Sequence, residues 1–246
     1  MRVLAGGPAR ETTSEMYALH RHGLEIQSGF GHVPTEKQFE VVVRHEIVPD
    51  IGGPRWHDEK IERVARVRQL FLDLRWDVDA SGAPVGPFHD ALLLVDTDVI
   101  LGPGVLERMW AVNADVVYGV FWTEADWGHA PGVKRWPQVW DVHPYGFTQG
   151  TWEALAGKGV NEVPVLGGGA CTLIRGRGFE SRYWPLLNSI RYCGGMWGGE
   201  DRTFALGCET RGITQVAVTG LPIYHCHDPE HQTTEGLRVA KQDVGL

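Results

Sequence analysis

Ala91-Leu92-Leu93-Leu94-Val95-Asp96-Thr97-Asp98-Val99-Ile100-Leu101-Gly102-Pro103-Gly104 decides how the rest of the chain is read. The apolar run from Ala91 to Val95 is too short for a membrane span. It suits a strand buried on both faces, inside a sheet covered by helices. Two carboxylates follow at its C-terminal end, one residue apart. On a continuing strand they would point the same way and repel unless a cation lay between them. Hard divalent ions are held by one or two carboxylates together with substrate phosphates. The stretch therefore points to a metal site at the carboxyl end of a central strand, where open α/β sheets bind ligands. A solvated Asp-Thr-Asp turn is the alternative reading of the same residues.

Working outward, Met1–Ala5 reads as a strand stopped by Gly6-Gly7-Pro8, and Phe39–Val43 as a second. Between them Thr13 or Ser14 caps a helix to His22, which Gly23 ends. Residues 44–57 read as a loop. Asp58 caps a long helix with Ile61, Val64, Val67, Phe71 and Leu74 on one face and Glu62, Arg63, Arg66 and Arg68 on the other. Pro103 opens a helix to about Trp110, and Val116–Phe121 is a further strand. The order β-α-β-α-β-α-β predicts an α/β fold with a mixed, mainly parallel sheet flanked by helices. No internal repeat or linker divides the 246 residues, so a single domain is expected.

Beyond Phe121 the pattern breaks. From Trp122 to about Glu162 the chain is rich in Trp, Gly, Pro and His, and reads either as a functional insert or as short strands packed through their aromatics. Gly167-Gly168-Gly169 then lead into an apolar strand to Ile174, which implies close backbone approach to a ligand or a neighbouring chain. A short helix is expected within 177–190 and a loop at Gly194–Gly199. Glu200-Asp201 open a helix that Gly212 stops. Thr214–Val218 and Leu221–Tyr224 read as strands, followed by His225-Cys226-His227 and a polar tail.

The net charge of −8 is spread without blocks of like charge, so electrostatics makes no case for nucleic acid or an anionic membrane. Cys171, Cys193, Cys208 and Cys226 lack CxxC spacing, which argues against a zinc ribbon or a disulfide framework. A zinc site from His225, Cys226, His227 and His231 is disfavoured because Cys226 would point away from its neighbours on a strand. The first residues lack the apolar core of a signal peptide and no run is long enough to span a bilayer, so a cytoplasmic location is expected. Asp96/Asp98, Glu200/Asp201 and His225/His227 all stand at element ends. A metal on the aspartates and a late histidine neutralises a diphosphate leaving group, while a carboxylate at a helix start deprotonates a hydroxyl. At Asp201 the helix macrodipole favours the ionised form. A plain charged helix start and a half-buried strand-end histidine are the alternatives.

Four segments together resemble, in order, a GT-A-fold nucleotide-sugar glycosyltransferase of the family-2-like group. They are Asp90–Asp98 with Gly102-Pro103, Gly167–Arg175, Gly199-Glu200-Asp201-Arg202-Thr203-Phe204 with Gly212, and Ile223-Tyr224-His225. The resemblance implies one Rossmann-like GT-A domain, with residues 1–121 as the nucleotide-donor half and 122–246 as the acceptor half. It implies donor contacts from Asp96 at the ribose, from Thr97 and Asp98, from Gly168, Gly169 and Ala170 against the sugar, and from Pro8 and Arg10 in the turn Gly7-Pro8-Ala9-Arg10. Arg68, followed by Gln69 where the family has Asn, would join them. Mn²⁺ or Mg²⁺ would be the cofactor, held by Asp98 with His225 or His227. Asp201 would be the base of an inverting transfer, with Glu200 touching donor or acceptor. The implied donor is UDP- or GDP-linked and the acceptor a hydroxyl on a glycan, small molecule, protein or modified nucleic acid.

Trp122, Trp140 and Trp197 are expected on the acceptor side, with Trp127, Trp136 and His143 adding to an aromatic platform for a sugar ring or a base. Two other functions fit part of the chain. Leu4-Ala5-Gly6-Gly7 begins the signature of a sugar nucleotidyltransferase, but Arg10 falls one residue early and no lysine precedes Lys37. A non-catalytic carbohydrate-binding protein on the same fold is the other.

Overall fold

The computed structural model describes residues 1–9, 14–28, 39–47, 58–73, 89–123, 136–142, 146–183, 199–226 and 234–246. In chain order the first half contains β1 (Arg2–Ala9), α1 (Ser14–Glu25), β2 (Glu40–Ile47), α2 (Asp58–Asp73), β3 (Ala91–Val95), β4 (Val99–Leu101), α3 (Val105–Ala111) and β5 (Val116–Gly119). Next come β6 (Trp122–Thr123), β7 (Trp136–Pro137), β8 (Val139–Trp140), α4 (Gln149–Ala156), β9 (Glu162–Pro164), β10 (Gly167–Gly168) and β11 (Cys171–Arg175). A 3-10 helix (Gly176–Glu180), α5 (Glu200–Thr210), β12 (Gln215–Val218), β13 (Ile223–His225) and α6 (Thr234–Val244) follow.

The main sheet runs β2-β1-β3-β11-β5-β12-β9. β2, β1, β3, β5 and β12 point one way; β11 and β9 run against them. The sheet is thus mixed and mainly parallel. All of β3 is buried. Its period-2 alternation divides it between two cores. Leu93 and Val95 pack with Leu24 of α1 and with Val105, Leu106 and Met109 of α3. Leu92 and Leu94 pack with Phe71 and Leu72 of α2 and Phe204 of α5. Truncating one such leucine to alanine costs about 2–5 kcal/mol. Among the described residues, no helix is long and apolar enough to cross a membrane.

Several element boundaries differ from the sequence reading. β1 passes through Gly6-Gly7-Pro8 because β2 stays paired with it as far as Ala9↔Ile47. β2 accordingly extends to Ile47, into residues expected to be a loop. α1 passes through Gly23, where a side chain would stand 2.6 Å from the Leu101 carbonyl oxygen. That glycine serves the approach of α1 to β4 and does not cap a helix. Pro103 precedes α3, whose N-cap is Gly104. The 3-10 helix covers the start of the expected 177–190 helix; residues 184–190 lie outside the described chain. The supposed polar tail contains α6, which buries Leu237, Ala240 and Val244 against Met16, Ile100 and Cys226.

Candidate active site

Beyond Val95 the chain turns instead of continuing as a strand, and the Val99 N–H donates to the Asp96 carbonyl at 2.9 Å. Asp96 and Asp98 therefore engage different partners, contrary to the geometry of a continuing strand. Asp96 Oδ1 accepts from Arg68 Nη2 at 2.8 Å. Asp98 Oδ2 lies 3.5 Å from His225 Nε2. This second meeting depends on β4, which pairs antiparallel with β13 in the register Val99↔His225. The Cys226 N–H ties the end of β13 to the Asp98 carbonyl at 2.7 Å. Pro8, Val64, Asp96, Thr97 and Asp98 line one cleft, since β1 and β3 are parallel and end side by side.

Arg68 is the hub of the site. It is only 4% exposed, on the same stripe of α2 as Ala65, Phe71 and Leu72 rather than on the charged face where the sequence reading set it. Its guanidinium meets Asp96 on one side and, through Nη1, Asp201 and Glu200 on the other, the latter at 3.2 Å. The ring of Tyr183 lies under it at 5.8 Å and stacks in turn on Phe204 of α5. Gln69, beside Arg68, accepts from the Tyr183 N–H at 2.9 Å. Glu200 and Asp201 occupy the first turn of α5 after the N-cap Gly199, in keeping with the expected helix start. Burial pushes the Asp201 carboxyl up to about 8, Arg68 opposes this, and the nearby Glu200 and Asp96 carboxylates add to the rise. The macrodipole expectation of an easily ionised Asp201 is thus outweighed by desolvation and carboxylate crowding. The same three carboxylates hold Arg68 firmly charged despite its burial.

The glycine segment packs against this cluster. A Cβ on Gly169 would stand 2.4 Å from Asp201 Oδ2, so the backbone can lie against the carboxylate only without a side chain. The next residue, Ala170, has φ 60 and is the one non-glycine residue with positive φ among those described. It forms a γ-turn, with the Cys171 N–H on the Gly169 carbonyl at 2.7 Å, while its own carbonyl accepts the Asp96 N–H at 2.9 Å. A left-handed alanine costs roughly 1–2 kcal/mol, and strain of this kind gathers at functional sites. Gly168 is buried between Tyr118 and Val139.

The aromatic segment divides. Trp122, Trp136, Phe147 and Trp152 form one cluster with centroid distances of 5.1–5.7 Å. Trp140, by contrast, is 5% exposed and covered by the backbone at Gly167, so it belongs to the core and offers no platform. Arg10, Trp127, His143, Trp197 and His227 lie outside the described residues. Tyr183 went unnoticed in the sequence because nothing local marks it. His20 and His45 also escaped notice. His20 donates from Nδ1–H to the Val99 carbonyl at 2.6 Å and meets His45 Nε2 through its own Nε2 at 2.8 Å, with the Tyr17 hydroxyl on His45 Nδ1 at 3.2 Å. A polar residue four positions from Met16 on the buried stripe of α1 was the available signal.

Chemically, the arrangement offers a carboxylate–imidazole pair able to ligate a cation, and a clamped, basic carboxylate a short chain of contacts away. Among the described residues, no group of three or more His, Cys, Asp or Glu side chains is arranged to hold a metal by itself. No protein-family model and no curated protein matches this chain.

Proposed function

We propose that the chain is a metal-dependent glycosyltransferase of GT-A type, moving a sugar from a nucleotide-sugar donor to a hydroxyl acceptor with inversion. The observation that carries this reading is the convergence on one sheet edge of Asp96, Arg68, Glu200 and Asp201, with Asp98 and His225 beside them. Asp98 and His225 fit Mn²⁺ or Mg²⁺, because such ions accept one or two protein ligands and complete their shell with phosphate oxygens and water. When bound, the ion neutralises the diphosphate leaving group.

The chain's own residues supply the rest. Pro8 and Asp96 line the nucleotide cleft. Asp201 takes the proton from the acceptor hydroxyl; the acceptor oxygen bonds to the anomeric carbon, and the electron pair of the broken C–O bond leaves on the diphosphate. Asp201 is ionised as pH rises through about 8, where it is a strong enough base to take that proton, and Arg68 orients it through a direct ion pair. The backbone at Gly169 gives the carboxylate room at the point where a sugar would lie.

Titration calorimetry of UDP and GDP with and without Mn²⁺ tests the reading. Asp98→Ala should abolish the metal-dependent part of the affinity, and an affinity indifferent to Mn²⁺ would sink the metal assignment. Asp201→Asn should keep nucleotide binding and remove transfer in a screen of nucleotide-sugars; substantial residual transfer would rule Asp201 out as the base.

A further inference from the structure

Where Arg68 sits decides how Asp201 is held. Its side chain is long, and three carboxylates from two other elements pull on it: Asp96 at the end of β3, and Glu200 and Asp201 in α5. Tyr183 lies beneath the guanidinium, its ring centroid 5.8 Å from Cζ. We infer that Tyr183 is a positioning residue, whose ring seats Arg68 and through Arg68 holds Asp201 in place as a base; that this serves sugar transfer rests on the transferase reading above.

The ring is built into the helix that carries the carboxylate. Tyr183 is only 2% exposed and stacks on Phe204 with centroids 4.5 Å apart and planes at 12°. Phe204 stands three residues after Asp201 in α5, so one helix face carries both the carboxylate and the floor beneath the ring. Asp201, Arg68, Tyr183 and Phe204 thus close a loop of contacts. The chain at Tyr183 is also tied to both helices. Its N–H donates to Gln69 Oε1 of α2 at 2.9 Å, and the Ser181 hydroxyl donates to the Phe204 carbonyl at 2.7 Å. A Cβ on Gly207 would stand 2.4 Å from Ser181 Oγ, so α5 admits that hydroxyl because a glycine faces it.

A cation over a ring shielded from water gains more from the contact than one at an exposed site. Burial holds the Tyr183 phenol neutral, well above its ordinary range, so the ring brings no charge of its own. Among the described residues, the charged and titratable groups facing Asp201 are Arg68 of α2, Asp96, Glu200, and the neutral phenols of Tyr183 and of Tyr118 in β5. Arg68 is the one that draws the Asp201 midpoint down towards about 8. A guanidinium that leaves its seat therefore lets the midpoint climb.

The test follows the Asp201 carboxyl of the full chain by carboxyl-carbon NMR titration, with the signal assigned by its loss in Asp201→Asn. Tyr183→Leu should raise the midpoint by about one pH unit or more, since one opposite charge at close range is worth about 1–3. Tyr183→Phe, which keeps the ring, should leave it in place. A role in packing alone would lower the urea midpoint and leave the titration where it was. An unmoved titration in Tyr183→Leu, or an equal rise in Tyr183→Phe, would overturn the inference. Should Tyr183→Leu fail to fold, Gln69→Leu removes only the acceptor of the Tyr183 N–H. It should raise the midpoint by a smaller amount, and no rise would overturn the inference. In a transfer assay the acid limb of the pH profile should move up with the NMR midpoint while the donor KM holds; a limb that stays put would overturn it too. If the wild type turns over no nucleotide-sugar while the NMR midpoint moves as expected, the transferase reading falls and the seating of Asp201 by Tyr183 stands.

Discussion

Arg68→Met removes the cation that three carboxylates share while keeping a side chain of comparable reach. The wild-type guanidinium makes a hydrogen bond of 2.8 Å to Asp96, a direct ion pair to Asp201 and a contact of 3.2 Å to Glu200. Two charge-assisted hydrogen bonds at about 1.5–3 kcal/mol each agree with the roughly 3–5 kcal/mol expected when one partner of a buried pair is lost. The loss must depend on pH. In the unfolded chain Asp201 ionises near 3.8, whereas in the fold it already holds its proton to about 8 with Arg68 present. Without Arg68 the folded Asp201 carboxyl holds its proton more tightly still. From the unfolded value up to about 8, folded wild type and variant both keep that proton and lose stability alike; above about 8 the wild type releases a proton that the variant retains, so the deficit of the variant grows. Urea midpoints of wild type and variant should therefore differ by a constant amount from about pH 4 to about pH 7, and by more at about pH 9. Adding Asp201→Asn to Arg68→Met should recover part of the deficit at the higher pH. A deficit equal at about pH 7 and about pH 9, or below about 1 kcal/mol throughout as for exposed ion pairs, would refute the shared-cation account.

Three further outcomes follow from the same contacts. Burial, with His20 and Arg21 adding to it, pushes His45 down to about 4, and burial lowers His20 as well. Folding therefore favours the neutral rings, and stability should fall as pH drops from about 6.5 to about 4, a limb that His45→Gln should flatten in pH-dependent thermal unfolding. Gly169→Ala sets a methyl group 2.4 Å from Asp201 Oδ2. It should cost about 1–3 kcal/mol in denaturant titrations and reduce transfer more than nucleotide binding, with unchanged transfer counting against the proposed role of Asp201. Arg175 donates to the carbonyl of Trp110 in the last turn of α3 and to those of Val112 and Ala114 just beyond it, and lies 5.1 Å from the Trp110 ring. Arg175→Ala should destabilise by about 2–4 kcal/mol in calorimetry, and Lys should rescue only part because it lacks the planar fork.

Much of the frame was legible because it is local. The five apolar residues of β3, the three-and-four spacing of α2, and the Glu200-Asp201 start and Gly212 stop of α5 each carry their signal within a few neighbouring residues. α6 escaped because its buried stripe, Leu237, Ala240 and Val244, is thin and sits among charged residues. Trp140 looked like a ligand surface because a tryptophan in a Gly/Pro-rich stretch reads the same whether it faces solvent or a glycine backbone. The pairing of β8 with β10 sent it inward.

By itself, then, the sequence determined that a buried strand ends in two aspartates within an α/β chain, and that a carboxylate pair opens a later helix. Tertiary structure alone decided what those groups meet. Arg68, set on the charged face by its spacing and among the donor contacts only by the resemblance, is the partner of Asp96, Glu200 and Asp201 because α2 packs its Ala65–Arg68–Leu72 stripe inward. Asp98 reaches His225 only because β4 leaves the main sheet and pairs with β13. Such contacts join segments far apart in the chain, where neither periodicity nor propensity operates; burial and backbone pairing choose them, and with them the chemistry of the site.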